Sequence, residues 1–160
     1  MLIKLLLSII PCLTFGLTYD VKSTVNDKTM GSVTCADSRY GLLCQVDLNS
    51  LSPGPHGIHL HENNSCKNHG LAAKGHFSKN NQQHLGPYSP LGHFGDLPII
   101  FADKNGHVQT QILAPRLKEE MIINKPLIIH SGGDNYAEKP KPLGGGGSRV
   151  ACAEYTKDQT

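Results

Sequence analysis

The sequence contains no tryptophan, and only 6% of its residues are aromatic. Charged residues make up just 18%, and the formal net charge is only +2. So small a charge excess does not predict a nucleic-acid partner or attachment to an acidic membrane. The chain of 160 residues is long enough for one domain with a core, and no feature indicates a second.

The sequence also lacks an apolar run long enough to span a bilayer. Its most apolar segment is N-terminal, where Lys4 precedes almost unbroken aliphatic residues and small residues follow up to Gly16. This order is typical of a secretory signal peptide, so residues 1–16 are predicted to be cleaved and 17–160 to form the mature domain. A buried N-terminal strand is the alternative, but the run shows no period-two alternation.

Three residue types are abundant instead. Seventeen glycines and ten prolines predict many turns and favour an all-β protein over a helical one. Nine histidines are many for this length, and histidine is the commonest metal-binding side chain. Loss of the signal leaves four cysteines, which permits disulfides in an exported protein in any of three pairings: Cys35, Cys44, Cys66 and Cys152.

Alternating apolar and polar residues predict about eight short strands and no helix, which together indicate a Greek-key β-sandwich or flattened barrel. Two hairpins are expected, one around the turn 37–41 and one across 103–106. The predicted strands cover 18–26, 29–36, 41–49, 56–62, 98–102, 107–113, 126–130 and 149–155.

Two long functional loops separate the later strands, at 63–97 and 131–148. A loop as long as the first is unusual inside a compact domain and requires something to organise it, for which bound metal is the obvious candidate. The second loop contains a glycine run, 144–147, that leads directly into a strand. That run is either a flexible linker or a place of close backbone approach.

His59 and His61 are two residues apart on a predicted strand, so both imidazoles lie on one face and can reach one ion. His56 faces the other way and is interpreted as structural. With His130, the pair would form an all-nitrogen set, which suits copper in a tetragonal arrangement.

A second set lies downstream in the first long loop. Three histidines and a carboxylate complete a tetrahedral site, as in a closed structural zinc site. Its members are His76, His84, His93 and Asp96. His69 and His107 lack comparable context and are predicted to be exposed turn residues.

Cys35 and Cys44 flank the 37–41 turn symmetrically. They could face each other across the hairpin as a disulfide. Two small buried side chains are the alternative, since free cysteine is often buried.

Six segments repeat, in order, motifs of a known family: 56–62, 75–77, 84–87, 92–98, 129–136 and 142–152. Together they resemble the copper/zinc superoxide dismutases, especially the bacterial periplasmic branch. The resemblance covers nearly all of the chain after the signal peptide. It implies dismutation of superoxide to dioxygen and hydrogen peroxide, one copper and one zinc per subunit, a periplasmic location with no membrane attachment after signal cleavage, and either a monomer or a homodimer.

The resemblance also implies a role for each site residue. Copper would be bound by His59, His61, His76 and His130, and zinc by His76, His84, His93 and Asp96. His76 would bridge the two metals and deliver a proton, and Arg149 would hold the substrate anion beside copper. Asp134 would link a copper histidine to a zinc histidine by hydrogen bonds. Cys66 and Cys152 would form the disulfide.

The chain departs from the family pattern after His76, where Ser78-Lys79 stands in place of Asp-Pro. Lys74 either adds to the attraction of the anion or is simply solvated. A copper-binding module without activity is the main rival, but it could dispense with Arg149 or Asp134, and both are present. A zinc hydrolase would need an open zinc position and a nearby general base, and only Glu62 adjoins the motif.

Overall fold

The computed structural model describes residues 16–79 and 82–157. The predicted signal peptide lies outside these ranges except for Gly16. The described residues form nine strands, one four-residue helix α1 (Glu119–Ile122) and two short 3₁₀ turns (Leu71–Ala73 and Leu143–Gly145). The strands are β1 (Leu17–Ser23), β2 (Thr29–Ser38), β3 (Gly41–Leu48), β4 (Gly54–His56), β5 (Ile58–Leu60), β6 (Ile100–Ala102), β7 (Val108–Ala114), β8 (Leu127–His130) and β9 (Arg149–Ala153).

The strands build a curled seven-stranded antiparallel sheet, in the order β5-β8-β9-β1-β2-β3-β7, and a separate pair, β4-β6. The predicted all-β class and flattened barrel are confirmed. The order places β5 and β8 next to each other at one edge of the large sheet. β5 carries His59 and is followed by His61, and β8 ends at His130, so three of the predicted copper ligands lie at this edge.

The core follows from period-two alternation along the long strands. In β3, for example, Leu42, Cys44, Val46 and Leu48 are buried while the residues between them are more exposed. Tyr19 is also fully buried, and its hydroxyl donates to the carbonyl oxygen of Lys125 at 2.9 Å. Burial of such apolar side chains is the main favourable contribution to folding.

The predicted strand 56–62 is broken at Gly57, which explains why nine strands are found instead of eight. Gly57 donates its N–H to the carbonyl oxygen of Gly132 at 2.7 Å and accepts from the N–H of His130 at 2.9 Å. These bonds to the second long loop and the end of β8 divide the segment, so β4 pairs with β6 while β5 pairs with β8.

The predicted hairpin of 98–102 with 107–113 is wrong in its pairing. Its turn does close, since the N–H of Asp103 donates to the carbonyl oxygen of His107 at 2.8 Å. Beyond the turn, however, β6 pairs with β4, and β7 pairs with β3. Each strand finds a partner far away in the sequence, which local alternation does not reveal.

The first long loop is fastened to β5 at both ends of its metal-ligand region. The N–H of Phe77 donates to the carbonyl oxygen of Leu60 at 2.8 Å, and the N–H of Leu60 donates to the carbonyl oxygen of Gly95 at 2.9 Å. His76 precedes Phe77 and Asp96 follows Gly95, so both ligands lie beside β5. Asp96 is then opposite His59, and His76 is opposite His61.

Candidate metal centre

The first predicted ligand set converges in the structure. One ring nitrogen from each of four buried histidines lies within 4.8 Å of the others. The four side chains come from β5 and the residue following it, from within the first long loop, and from the end of β8: His59, His61, His76 and His130.

Three of these histidines present a buried ring nitrogen with no hydrogen-bond partner among the described residues: His59 Nδ1, His61 Nε2 and His130 Nε2. A buried polar atom without a partner is costly, so it calls for a ligand. Three such nitrogens gathered in one place fit a metal ion that prefers imidazole, and copper has that preference.

The opposite nitrogen of each ring is held by an oxygen atom of the protein. His59 Nε2 lies 2.7 Å from Asp134 Oδ2, His61 Nδ1 lies 2.9 Å from Lys74 O, and His130 Nδ1 lies 3.3 Å from Gly147 O. These bonds fix the tautomer and direction of each imidazole, as outer hydrogen bonds do at metal sites generally.

The second predicted set also comes together, around Asp96. The Nδ1 atoms of His76, His84 and His93 lie 2.9, 3.1 and 3.3 Å from Asp96 Oδ1. Three imidazole nitrogens and a carboxylate are a donor set that zinc accepts in tetrahedral geometry. Burial acts to raise the pKa of Asp96, but the hydrogen bonds from the three histidines outweigh it and hold that pKa well below its usual range.

Asp134 connects the two groups. Its Oδ2 lies 2.7 Å from His59 Nε2, and its Oδ1 lies 2.8 Å from His84 Nε2. The carboxylate is closely enclosed, because a Cβ on Gly144 would collide with it. The glycine run thus provides close backbone approach, which was one of the two alternatives left open by the sequence.

Burial keeps three of the gathered imidazoles neutral. It lowers the pKa of His61 to about 2, of His130 to about 3 and of His76 to about 4. A neutral imidazole is the form that binds metal. His84 is different, since burial alone would lower its pKa, but hydrogen bonds to Asp134 and Asp96 raise it to about 9.

Arg149 lies beside the first group at the start of β9, opposite His130 in the β8–β9 ladder. Its guanidinium donates to the carbonyl oxygen of Gly70 at 2.6 Å and to that of Lys74 at 2.5 Å. The Lys74 carbonyl also accepts from His61 Nδ1, so one backbone oxygen orients both a histidine and the arginine. The Lys74 side chain is exposed.

The three remaining histidines stay outside the metal groups formed by the described residues. His56 is buried, with Nδ1 2.6 Å from the carbonyl oxygen of His130 and Nε2 2.7 Å from that of Ser52. It has the structural role that its position predicted. His69 and His107 are exposed, as predicted.

Two disulfides are formed. Cys66 and Cys152 join the first long loop to β9, with Cα atoms 5.8 Å apart. Cys35 and Cys44 pair directly across the β2–β3 ladder, which decides the open question in favour of a second disulfide.

Sequence reasoning missed Arg116, whose guanidinium contacts the loop that carries the second ligand set. A single arginine after a proline has no pattern that distinguishes it from a surface residue. The glycines at 57 and 95, which allow backbone contact with β5 and its neighbours, gave no separate signal either.

This fold and this site define a β-barrel metalloprotein with two adjoining metal groups, one of four imidazoles and one of three imidazoles with a carboxylate. The model of the copper/zinc superoxide dismutase family matches residues 29–155, and the chain belongs to that family.

Known relatives agree with this assignment. A superoxide dismutase [Cu-Zn] of Legionella pneumophila is 46% identical over 124 residues, covering 77% of this chain and 75% of the relative. One of Brucella abortus biovar 1 is 43% identical over 144 residues, covering 84% and 83%. The solved structure of a Cu/Zn superoxide dismutase from Brucella abortus superposes with a TM-score of 0.81 at 41% identity, covering 87% of this chain and 98% of that one.

The protein is therefore an oxidoreductase that uses copper and zinc and acts on superoxide, as the sequence resemblance implied. None of the helices among residues 16–79 and 82–157 is long and apolar enough to cross a membrane.

Proposed function

We propose that dismutation of superoxide to dioxygen and hydrogen peroxide takes place at copper held by the first group, His59, His61, His76 and His130. The observation that supports this most directly is the set of three buried ring nitrogens that lack a partner among the described residues. Bound there, copper supplies the one-electron oxidation and reduction that the reaction requires. Zinc is assigned to the second group, His76, His84, His93 and Asp96, whose four donors are the number and kind that a tetrahedral zinc site would take.

His76 is the bridging residue in this proposal, because it alone belongs to both groups. Its Nδ1 faces Asp96, which leaves Nε2 for the first group. His76 would accordingly carry, at Nε2, a proton that the product peroxide needs.

Arg149 is proposed to bind the substrate anion. Its guanidinium is held in place by two backbone carbonyls, on a residue that lies opposite His130 of the first group in the β8–β9 ladder. A guanidinium stays charged and offers donors in a fixed fork, which suits a small anion. Asp134 would act through His59 and His84, by fixing the direction of one imidazole in each group.

The test is dismutation by metal-free protein before and after metals are restored. Protein given zinc alone should be inactive, and addition of copper should produce fast turnover. Two histidine variants refine the test, because His61→Gln should lose copper while the exposed His107→Gln should keep it. Copper-loaded protein without activity would instead support a copper-binding module without catalytic function.

We propose further that residues 1–16 are a signal peptide, that 17–160 form the mature domain, and that the protein removes superoxide in the periplasm. The two disulfides support export, since disulfides persist in oxidising compartments and are rare in the cytosol. The intact mass of exported protein tests this, and a mass that includes residues 1–16 would contradict it.

A further inference from the structure

Arg116 makes an unusual number of contacts with the loop that carries the second ligand group. All three guanidinium nitrogens donate to backbone carbonyl oxygens of that loop: Nε to Pro87 at 3.0 Å, Nη1 to Gly92 at 2.9 Å and Nη2 to His93 at 2.6 Å. These acceptors lie between His84 and Asp96, and one of them belongs to a ligand residue. One side chain therefore connects three backbone positions of the loop, 87, 92 and 93.

The backbone around Arg116 is fastened to the sheet by hydrogen bonds. Arg116 lies in the turn that follows β7. In this turn Leu117 is buried, and its N–H donates to the carbonyl oxygen of Ala114 at 3.1 Å. The next residues are bound to the end of β2, because Lys118 Nζ donates to the Ser38 carbonyl at 3.1 Å and the Glu119 N–H donates to Asp37 Oδ1 at 3.0 Å. The loop is thus held by a residue fixed to the sheet, not by another part of itself.

A stack of aromatic rings strengthens this attachment. The Arg116 guanidinium lies 5.3 Å from the ring centre of Phe94, which stacks on Phe77 at 5.7 Å. Lys125 Nζ lies 4.7 Å from the opposite ring, that of Phe77. Phe77 and Phe94 each directly follow a ligand of the second group, His76 and His93, so the stack fixes the backbone at both. Cation–π contacts of this kind contribute modestly at half-exposed sites.

We propose that Arg116 is a positioning residue for zinc: it sets the shape of the 84–93 segment so that His84 and His93 face Asp96 before the metal binds. The proposal rests on the assignment of zinc to the second group. Its physical basis is preorganisation, since a loop that is already in place loses less conformational freedom when the ion binds. A lysine could keep the charge and the contact with Phe94, but it cannot reach three separated carbonyls as a planar fork does.

The experiment uses cobalt(II) as a spectroscopic probe for the zinc group. The protein is the metal-free mature chain, residues 17–160. Tetrahedral cobalt gives intense visible absorption bands, so a titration reports both affinity and geometry. Arg116→Ala should bind cobalt about 10- to 100-fold more weakly and with weaker bands, which is the usual effect of losing an outer contact at a metal site. The copper EPR spectrum of the same variant should stay close to that of the parent.

The matched control is Arg39→Ala. It also removes a guanidinium that lies over an aromatic ring, 4.4 Å from the ring centre of Tyr40. Arg39, however, lies in the β2–β3 turn. This variant should bind cobalt like the parent. If Arg116→Ala does not fold, Arg116→Lys takes its place and should still bind cobalt several-fold more weakly.

Parent-like cobalt affinity in a folded Arg116 variant would overturn the proposal. So would equal weakening in Arg39→Ala, because that would indicate a general effect of lost charge. Failure of the parent itself to give tetrahedral cobalt bands would instead overturn the zinc assignment on which the proposal rests.

Discussion

At the scale of single residues, the partner of one ring nitrogen decides what each histidine can do. His61 and His130 have one nitrogen fixed by a backbone carbonyl, which leaves the other free for a ligand. His56 has both nitrogens occupied by backbone carbonyls and so has none to offer. His107 is exposed and outside both groups. Histidines of identical chemistry thus fall into three kinds: candidate metal ligands, a structural residue held by backbone hydrogen bonds, and surface residues.

Arg149→Ala is expected to slow turnover, measured as kcat/KM, by about tenfold or more, because attraction of a charged substrate commonly raises encounter rates by at least that factor. Inhibition by an added anion such as azide should weaken in parallel. Copper should remain bound, since His61 Nδ1 keeps the Lys74 carbonyl as its partner.

Two further variants test the assignment. Arg149→Lys keeps the charge and should be intermediate, while Lys104→Ala, which removes an exposed charge in the 103–106 turn, should turn over like the parent. Loss of copper from Arg149→Ala would show that this residue maintains the site and does not act on the substrate.

At the scale of elements, the site depends on covalent and backbone links between segments that are far apart in the sequence. The disulfide Cys66–Cys152 ties the first long loop to β9 and has a sequence separation of 86. The disulfide Cys35–Cys44 closes a separation of only 9 within one hairpin. The first constrains the topology around the metal groups, and the second reinforces a local ladder.

These separations predict unequal contributions to stability. Loop-closure entropy gives about 3 kcal/mol for a loop of roughly fifteen residues and about 4.7 kcal/mol for roughly a hundred. Replacement of Cys66 and Cys152 by serine should therefore lower the free energy of unfolding more than the same replacement of Cys35 and Cys44. Urea unfolding of the metal-free variants measures both, and an equal or reversed order would contradict the entropic explanation.

At the scale of the whole molecule, the barrel buries a dense cluster of ionisable groups. Burial lowers the pKa values of His61, His76 and His130, while the carboxylates of Asp96 and Asp134 are held ionised by their histidine partners. Without metal, these groups make folding sensitive to pH.

Metal-free protein should lose stability as the pH falls below about 6.5, the ordinary histidine value. Between that value and the lowered pKa values of about 4, 3 and 2, the unfolded chain binds protons at His76, His130 and His61 that the folded chain does not. His84 acts in the opposite sense: its raised pKa stabilises the fold below 6.5, and this contribution is lost as the pH rises through about 9.

Thermal unfolding across this range is the measurement. The midpoint should be highest near neutral pH and fall on the acid side, where the three histidines with lowered pKa values act together and the contribution of His84 no longer changes with pH. His61→Gln should make the acid decline shallower, whereas the exposed His107→Gln should not. Equal stability at about pH 5 and about pH 7 would be incompatible with these pKa values.

The sequence by itself determined which chemistry was possible. The two-residue spacing of His59 and His61 fixed a shared face, and this depends only on local backbone geometry. The order of the motifs indicated the family, and the symmetric placement of Cys35 and Cys44 about a turn made their pairing a definite alternative. Each of these inferences needed only residues close in sequence or a resemblance along the whole chain.

Only the tertiary structure decided where those residues meet. The break at Gly57 and the pairing of β6 with β4 depend on hydrogen bonds to distant segments, so local alternation could not show them. The three hydrogen bonds of Arg116 likewise exist only because the end of β7 lies beside the loop that follows β5. Local propensities determine which segments form strands and turns, whereas long-range pairing determines which strands lie side by side. The metal groups are built from residues of segments that only this long-range pairing brings together.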